Sequence, residues 1–254
     1  MKILASDYDG TLRTEEYVSK SDIESICKFR KAGNLFGIVT GRSMESMQIE
    51  IARNKIEFDF LITNNGGVIY NKDFEKLQCL YMDFNKALDI IAYIKTTPCA
   101  SYVINDGFHR YKFSMDKQQI DHKYEGMQDY SDHEESVLDR GKIAQLVISL
   151  NDDMLANEIS TFINRNFVGS AQAYVNVNCV DIVPMGVSKG EGLLFIENEM
   201  NLRHDDIYAI GDSFNDLPMI EEFIGFAVSH ARTSIKEAAQ HVYVSVGACI
   251  EDLL

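Results

Sequence analysis

Nothing in this sequence suits a bilayer or a polyanion. Across 254 residues no apolar stretch approaches the roughly 20 residues that a spanning helix needs. Positive charge is scarce: 24 Lys and Arg stand against 39 Asp and Glu, a formal net charge of -15. Nucleic-acid backbones and anionic lipid surfaces are held by Lys and Arg, so neither is expected as a partner. Cysteine is sparse as well. Cys27, Cys79, Cys99, Cys179 and Cys249 are scattered, odd in number and without a C-x-x-C pair. No disulfide framework or cysteine-rich zinc site is indicated, and a reducing compartment is expected. The first apolar run is broken by Asp7 and is too short for a secretory signal, so the expected location is cytoplasmic. A small phosphorylated substrate stays open, because a metal ion and a few local cations hold an anion inside an acidic protein.

What is present is a core-forming chain, 46% hydrophobic, enough for one large domain or two modest ones. Its first residues set the pattern. Lys2 to Ser6 reads as a short buried strand that runs into Asp7-Tyr8-Asp9-Gly10-Thr11. In an extended strand Asp7 and Asp9 would share one face. Two like charges there are costly unless a divalent cation or a shared proton intervenes. Gly10 lets the backbone approach a ligand. The plain alternative is a surface loop, since Asp-Gly is a common turn pair.

The next stretches repeat the rhythm. Ser21 and Glu24 are spaced as a capping box that opens a helix, and Gly33 is its stop. Leu35 to Val39 reads as a buried strand ending in Thr40-Gly41-Arg42, where a hydroxyl, a flexible glycine and a cation suit an anionic group. Thr40 by itself reads equally as a cap. Phe58 to Ile62 is a third strand, followed by Thr63-Asn64-Asn65-Gly66-Gly67 and a hairpin-like arm. Strands and helices alternating with short links predict a parallel sheet covered on both faces, with ligands beyond the strands' C-terminal ends.

Near residue 83 the pattern changes. Asn85 to Lys95 reads as a helix, and Ser101 to Ile104 and His109 to Phe113 as strands around Asn105-Asp106-Gly107. Residues 116–140 are polar, anchored by Met127, Tyr130 and Val137, and read as helix plus loop. Ile143 to Leu150, Ala171 to Val177 and Val180 to Val183 are further strands, with a helix from Asp152 or Asp153 between them. The stretch predicts helices on an antiparallel sheet. The division expected is 1–82 and 185–254 for the core and 83–184 for an inserted α+β unit.

The last third returns to the first rhythm. Lys189 stands at a helix start, where it opposes the helix dipole unless an anion lies near; a solvated surface lysine reads as well. Asp206 to Ile210 is a strand emptying into Gly211-Asp212-Ser213-Phe214-Asn215-Asp216, and one turn brings Asp212 and Asp216 toward one ligand. Two carboxylate clusters at strand ends suit magnesium. With a lysine and a threonine to grip an anion, the set suits phosphoryl transfer.

The chain resembles the haloacid dehalogenase-like phosphatases, specifically the Cof-type members with a large α/β cap. Asp7-Tyr8-Asp9-Gly10-Thr11 is similar to the first motif of that family, Thr40-Gly41-Arg42 to the second, Lys189-Gly190 to the third, and Gly211 to Asp216 to the fourth. Asn64 to Gly67 and Asp181 to Pro184 also resemble the usual run-ins. The resemblance implies a Rossmann-like core with an inserted cap, and a magnesium-dependent phosphomonoester hydrolase. Asp7 would be the nucleophile and Asp9 the general acid and base. Asp7, the Asp9 carbonyl, Asp212 and Asp216 would hold or support the metal. Thr40, Gly41, Lys189, Asn215 and Gly10 would cradle phosphate. Asp9 needs a proton, which burial beside other carboxylates would favour.

Tyr8 departs from the small or aliphatic residue usual there and is expected to point away from both aspartates. His230-Ala231 replaces the usual Asn-Ala pair, so His230, with Arg42 and Asn65, is a possible substrate contact; a structural or exposed histidine is the plainer reading of His230. Candidate cap contacts lie at Asn105 to His109 and Asn176 to Asp181. Expected substrates are sugar phosphates or flavin- or pyridoxal-type phosphates, met by a monomer or weak homodimer. A phosphosugar mutase using the same phosphoaspartate and a non-catalytic phosphometabolite-binding protein are the alternatives.

Overall fold

The structure is a computed structural model that describes residues 1–116, 118–121, 123–176 and 178–254. The chain forms two compact units. One comprises Met1–Arg42, Ser46–Gln78 and Ser188–Leu254, the other Ser43–Glu45 and Cys79–Val187.

The first unit opens with β1 (Ile3–Asp7), α1 (Lys20–Lys31), β2 (Leu35–Val39), α2 (Met44–Asn54), β3 (Phe60–Thr63), β4 (Val68–Asn71) and β5 (Lys76–Cys79). The helix start differs from the sequence reading. Ser19, not Ser21, is the N-cap: its backbone is extended and its hydroxyl accepts the Asp22 amide at 3.0 Å. Two serines two residues apart offer the same chemistry, and the backbone conformation chooses between them. Gly33 follows the helix with φ +85°, as a stop requires. β4 folds back antiparallel on β3, giving the expected arm. β5 was not expected. Its four residues are half-exposed at the sheet edge, where the hydrophobic alternation that marks a strand is weakest.

The second unit holds α3 (Phe84–Ile94), β6 (Ser101–Asn105), β7 (Arg110–Ser114), α4 (Glu134–Leu138), β8 (Gln145–Ser149), α5 (Asp153–Asn166), β9 (Ala171–Asn176) and β10 (Cys179–Pro184). Its strands form an antiparallel sheet in the order β7-β6-β8-β10-β9. One face, with Tyr102, Ile104, Leu146, Ile148, Val180 and Ile182, packs on α3 and α5. Tyr124 packs on the other face with Val103, Val147 and Cys179, an anchor the sequence reading missed. Val137 is buried as expected. Positions 117, 122 and 177, within stretches read above as loop, strand end and cap contact, lie outside the described residues.

The chain then completes the first unit with α6 (Lys189–Glu199), β11 (Ile207–Gly211), α7 (Leu217–Glu222), β12 (Ile224–Val228), α8 (Thr233–Ala238), β13 (His241–Tyr243) and α9 (Val246–Leu253). Among the described residues its sheet runs β13-β12-β11-β1-β2-β3-β4-β5. From β13 to β3 all pairings are parallel. Ile3 and Ala5 of β1 join Leu193 and Ile196 of α6 and Met219 of α7 in one cluster, while Leu4 and Ser6, facing the other way, are also buried. This two-faced burial is why β1, β2 and β11 read as nearly unbroken apolar runs. The architecture is the expected α/β core with an inserted α+β cap. β1 and β11 are neighbours, so their C-terminal ends, Asp7 and Gly211, lie side by side although 204 positions separate them.

Candidate active site

Asp7 is the last residue of β1, 4% exposed. The strand stops there, so Asp9 does not continue its face: Gly10 takes φ +87° and donates its amide to the Arg13 carbonyl at 2.9 Å, turning the chain. Asp212 and Asp216 arrive on the loop after β11. Asp7, Asp212 and Asp216 each offer a carboxylate oxygen within 4.8 Å of the others. Lys189, 1% exposed at the start of α6, donates to Asp7 Oδ1 and to Asp216 Oδ1, each at 2.6 Å. The surface-lysine reading is thereby excluded: its dipole penalty is offset by two carboxylates.

The electrostatics are strained. Burial, then Asp216, push the Asp7 carboxyl well above its usual range, while Lys189 pulls it down. Burial works against the charge of Lys189, but Asp216 and Asp7 outweigh it and raise its pKa. One lysine among three acidic groups leaves negative charge uncompensated, and Asp7 Oδ2 is buried with no hydrogen-bond partner among the described residues. Hard oxygen donors with an orphaned buried carboxylate oxygen fit a magnesium ion, and Asp7, Asp212 and Asp216 are the residues that would hold it.

The surrounding loops explain how these groups are aimed. Thr11 donates its hydroxyl to Asp212 Oδ1 at 2.9 Å and Ser213 donates to Oδ2 at 2.8 Å, two orienting contacts the sequence reading did not single out. Asp216, fully buried, accepts the amides of Asp212 and Ser213 on Oδ2, both at 2.9 Å. It therefore braces its own loop as well as Lys189. A Cβ on Gly10 would stand 2.7 Å from Asp212 Oδ1, so only glycine admits that carboxylate.

Thr40, 1% exposed, directly follows β2; its Oγ1 accepts the Arg42 amide at 3.1 Å, with Gly41 as the bend between them. The Asn65 amide donates to the Thr40 carbonyl at 3.0 Å, and Asn215 Nδ2 donates to Asn65 Oδ1 at 3.0 Å. Asn215 thus ties the Thr40 loop to the loop carrying Asp212 and Asp216. His230 lies within 2.6 Å of the Gly10 carbonyl through Nε2, so that nitrogen carries the hydrogen and the ring pins the first loop.

Asp9 corrects the expectation of burial. Its side chain is 46% exposed and lies in the fork of Arg42, Nε to Oδ2 at 2.6 Å and Nη2 to Oδ1 at 2.7 Å. Arg13 adds a third contact at 3.1 Å. The turn at Gly10 lifts Asp9 off the strand, and two arginines, not neighbouring carboxylates, receive it. Tyr8 points away as expected, fully buried.

No helix among the described residues is long and apolar enough to cross a membrane. The sequence pattern of the haloacid dehalogenase-like hydrolases matches residues 4–247. The chain is similar to the Bacillus subtilis 5-amino-6-(5-phospho-D-ribitylamino)uracil phosphatase YcsE, 24% identical over 95% of this chain and 89% of that protein. It is also similar to YwtE of the same organism, given the same activity, at 26% identity over 87% and 85% of the two chains. A haloacid dehalogenase-like hydrolase structure from B. subtilis superposes with a TM-score of 0.85 at 19% identity, covering 100% of both chains. With three motifs at the C-terminal ends of the parallel strands β1, β2 and β11, the third motif at the start of α6 with Lys189 bonded to Asp7, and the family pattern spanning nearly the whole length, the chain belongs to the haloacid dehalogenase-like hydrolases.

Proposed function

We propose that this protein is a magnesium-dependent phosphomonoester hydrolase of the Cof type that works through a phosphoaspartate on Asp7. The observation that carries this reading is the buried Asp7 held at 2.6 Å by Lys189, within a cluster of three carboxylates. A pure binding site has no need of a buried carboxylate bonded to a lysine beside two further acids.

Bound at Asp7, Asp212 and Asp216, magnesium would neutralise charge on the cluster and on the phosphoryl oxygens. The other roles belong to the chain. Lys189 favours the ionised form of Asp7 against burial and Asp216, and shields it from an incoming dianion. Asp7 attacks phosphorus as the bond to the ester oxygen breaks, and Asp9, which takes up a proton from solvent in place of its Arg13 contact, passes that proton to the oxygen. Asp9, then a carboxylate, takes a proton from water, which attacks the phosphoaspartate and frees inorganic phosphate. Thr40 and Gly41 bind phosphoryl oxygens; the Gly10 amide, expected to join them, is already held by the Arg13 carbonyl at 2.9 Å, and Asn215 holds the Thr40 loop in place. The stretch 83–184 acts as the cap that selects the alcohol. Two relatives named as ribitylaminouracil phosphatases favour a phosphorylated polyol or sugar as substrate.

The test is phosphate release from ribitol 5-phosphate, hexose phosphates, flavin mononucleotide, pyridoxal phosphate and p-nitrophenyl phosphate, with and without magnesium. Release that needs magnesium and falls at least ~10³-fold in Asp7→Asn is expected. Turnover in Asp7→Asn equal to wild type would remove the nucleophile assignment. Asp9→Asn is expected to lose turnover far more than substrate binding.

A further inference from the structure

The Asp9 clamp has a back side. Arg42 does not float from its loop; its rear is fixed by α2. Nη1 donates to Ser46 Oγ at 3.1 Å and to Glu50 Oε1 at 3.4 Å, and the guanidinium stacks 5.3 Å over the Tyr8 ring. Glu50 is a buried carboxylate, with 8% of its side chain exposed. It accepts the Tyr8 hydroxyl at 2.7 Å and stands 3.8 Å from Arg13 Nε. Asn54 donates to Glu50 Oε2 at 3.4 Å and to its carbonyl at 3.0 Å, and Arg53 Nη1 lies 3.7 Å from Oε1. Ser46, Glu50 and Asn54 recur every four residues and so line one stripe of α2.

A buried carboxylate is costly unless paired, and apolar residues would fill this helix face more cheaply. What the stripe supplies is direction. Arg42 and Arg13 each lie between Asp9 in front and Glu50 behind. With its Nη1 edge and its face occupied, Arg42 has only the Nε–Nη2 edge to offer, and that edge takes both oxygens of Asp9. Tyr8, between the two motif aspartates in sequence, props the same guanidinium. We propose that Glu50, supported by Tyr8, is a positioning residue that aims Asp9 through Arg42. This rests on Asp9 acting in phosphate-ester cleavage.

The consequence depends on the leaving group. A misdirected Asp9 matters where the departing oxygen is a poor leaving group that needs a proton, and little where it leaves as a stable phenolate. Glu50→Gln is therefore expected to lower kcat/KM, which reports the phosphoenzyme-forming step, about 10-fold or more on an alkyl phosphate such as ribitol 5-phosphate. On p-nitrophenyl phosphate kcat/KM is expected to change no more than about threefold, because the later step in which Asp9 takes a proton from water does not enter it. Tyr8→Phe, which removes one hydrogen bond and no charge, is expected to show the same split at smaller size, and it serves if Glu50→Gln does not fold. Equal losses on the two substrates, or none, would overturn the positioning role.

A second readout does not need turnover. The Arg42 Nε–H, locked on Asp9, is expected to exchange slowly with solvent in the NMR spectrum of wild type and at least ~10-fold faster in either variant. Unchanged exchange overturns the inference. An inactive wild type whose Arg42 exchange still responds overturns the hydrolase reading alone.

Discussion

Lys189→Met is expected to cost the metal-free protein about 3–5 kcal/mol of stability at neutral pH, as breaking a buried ion pair does. Methionine fills much of the same space, so the loss is electrostatic. The lysine is 1% exposed and bridges Asp7 and Asp216 at 2.6 Å each. Without it, two buried carboxylates face each other with no cation. The pH dependence follows from Asp7, whose folded pKa already lies well above its usual value because of burial and Asp216. An acid raised in the folded state binds protons more tightly there, so stability falls as pH rises from the unfolded value of about 4 toward the folded one. Removing Lys189 raises the folded value further. The deficit of the variant is therefore largest near pH 7 and shrinks as the solution is acidified toward pH ~5. Adding Asp7→Asn to Lys189→Met is expected to restore part of the loss, because one stranded charge is gone. Urea melts in chelator at several pH values measure all three. A deficit below about 1 kcal/mol at pH 7, or one that does not vary with pH, would contradict this electrostatic account.

Gly66→Ala is expected to be nearly as damaging, through sterics alone. Gly66 has φ +107°, and a Cβ there would stand 2.0 Å from the Ser188 carbonyl oxygen. That oxygen is not expendable. It accepts the Gly192 amide at 3.0 Å in the first turn of α6, and the Ser188 hydroxyl caps the same helix by accepting the Glu191 amide at 3.0 Å. Gly192 faces the same crowding, since its Cβ would lie 3.0 Å from the Gly66 Cα. Backbone strain plus the displaced cap is expected to cost about 3–5 kcal/mol, roughly 6–20 °C in Tm for a chain of this size. The residue after the cap is Lys189, so turnover is expected to fall along with stability. Gly33→Ala is the control. Gly33 has φ +85° with nothing among the described residues within 4 Å of an added Cβ, so it carries the strain without the collision, about 1 kcal/mol. Equal losses in the two variants would show that close approach to Ser188 is not the cause.

Much of the site was legible because its residues close short loops after buried strands, and such loops are marked locally. Asp7, Thr40 and Asp212 each follow an apolar run, and a strand's end can be read from the sequence that ends it. Asp9 was read less well. Its neighbours in sequence suggested a shared acidic face, but the positive φ of Gly10 turns it toward Arg13 and Arg42, a contact across 33 positions for the latter. Glu50 was passed over for the same reason. On α2 it is one more acidic residue of a helix; only the fold brings Tyr8 and two arginines onto it. Thr11 sits inside a recognised motif, yet its hold on Asp212 depends on β1 lying beside β11, whereas Ser213 holds Asp212 as its neighbour in the chain.

The sequence by itself determined the alternation of strand and helix, the inserted second unit, and the four loops that carry acids, hydroxyls and a lysine, because hydrophobic period and strand-end chemistry are local properties. The tertiary structure decided which charges meet. Lys189 is buried between Asp7 and Asp216, 182 and 27 positions away, and Asp9 faces arginines instead of acids. Ion pairing in a folded protein is set by distance and burial, and neither is written in the spacing of residues along the chain.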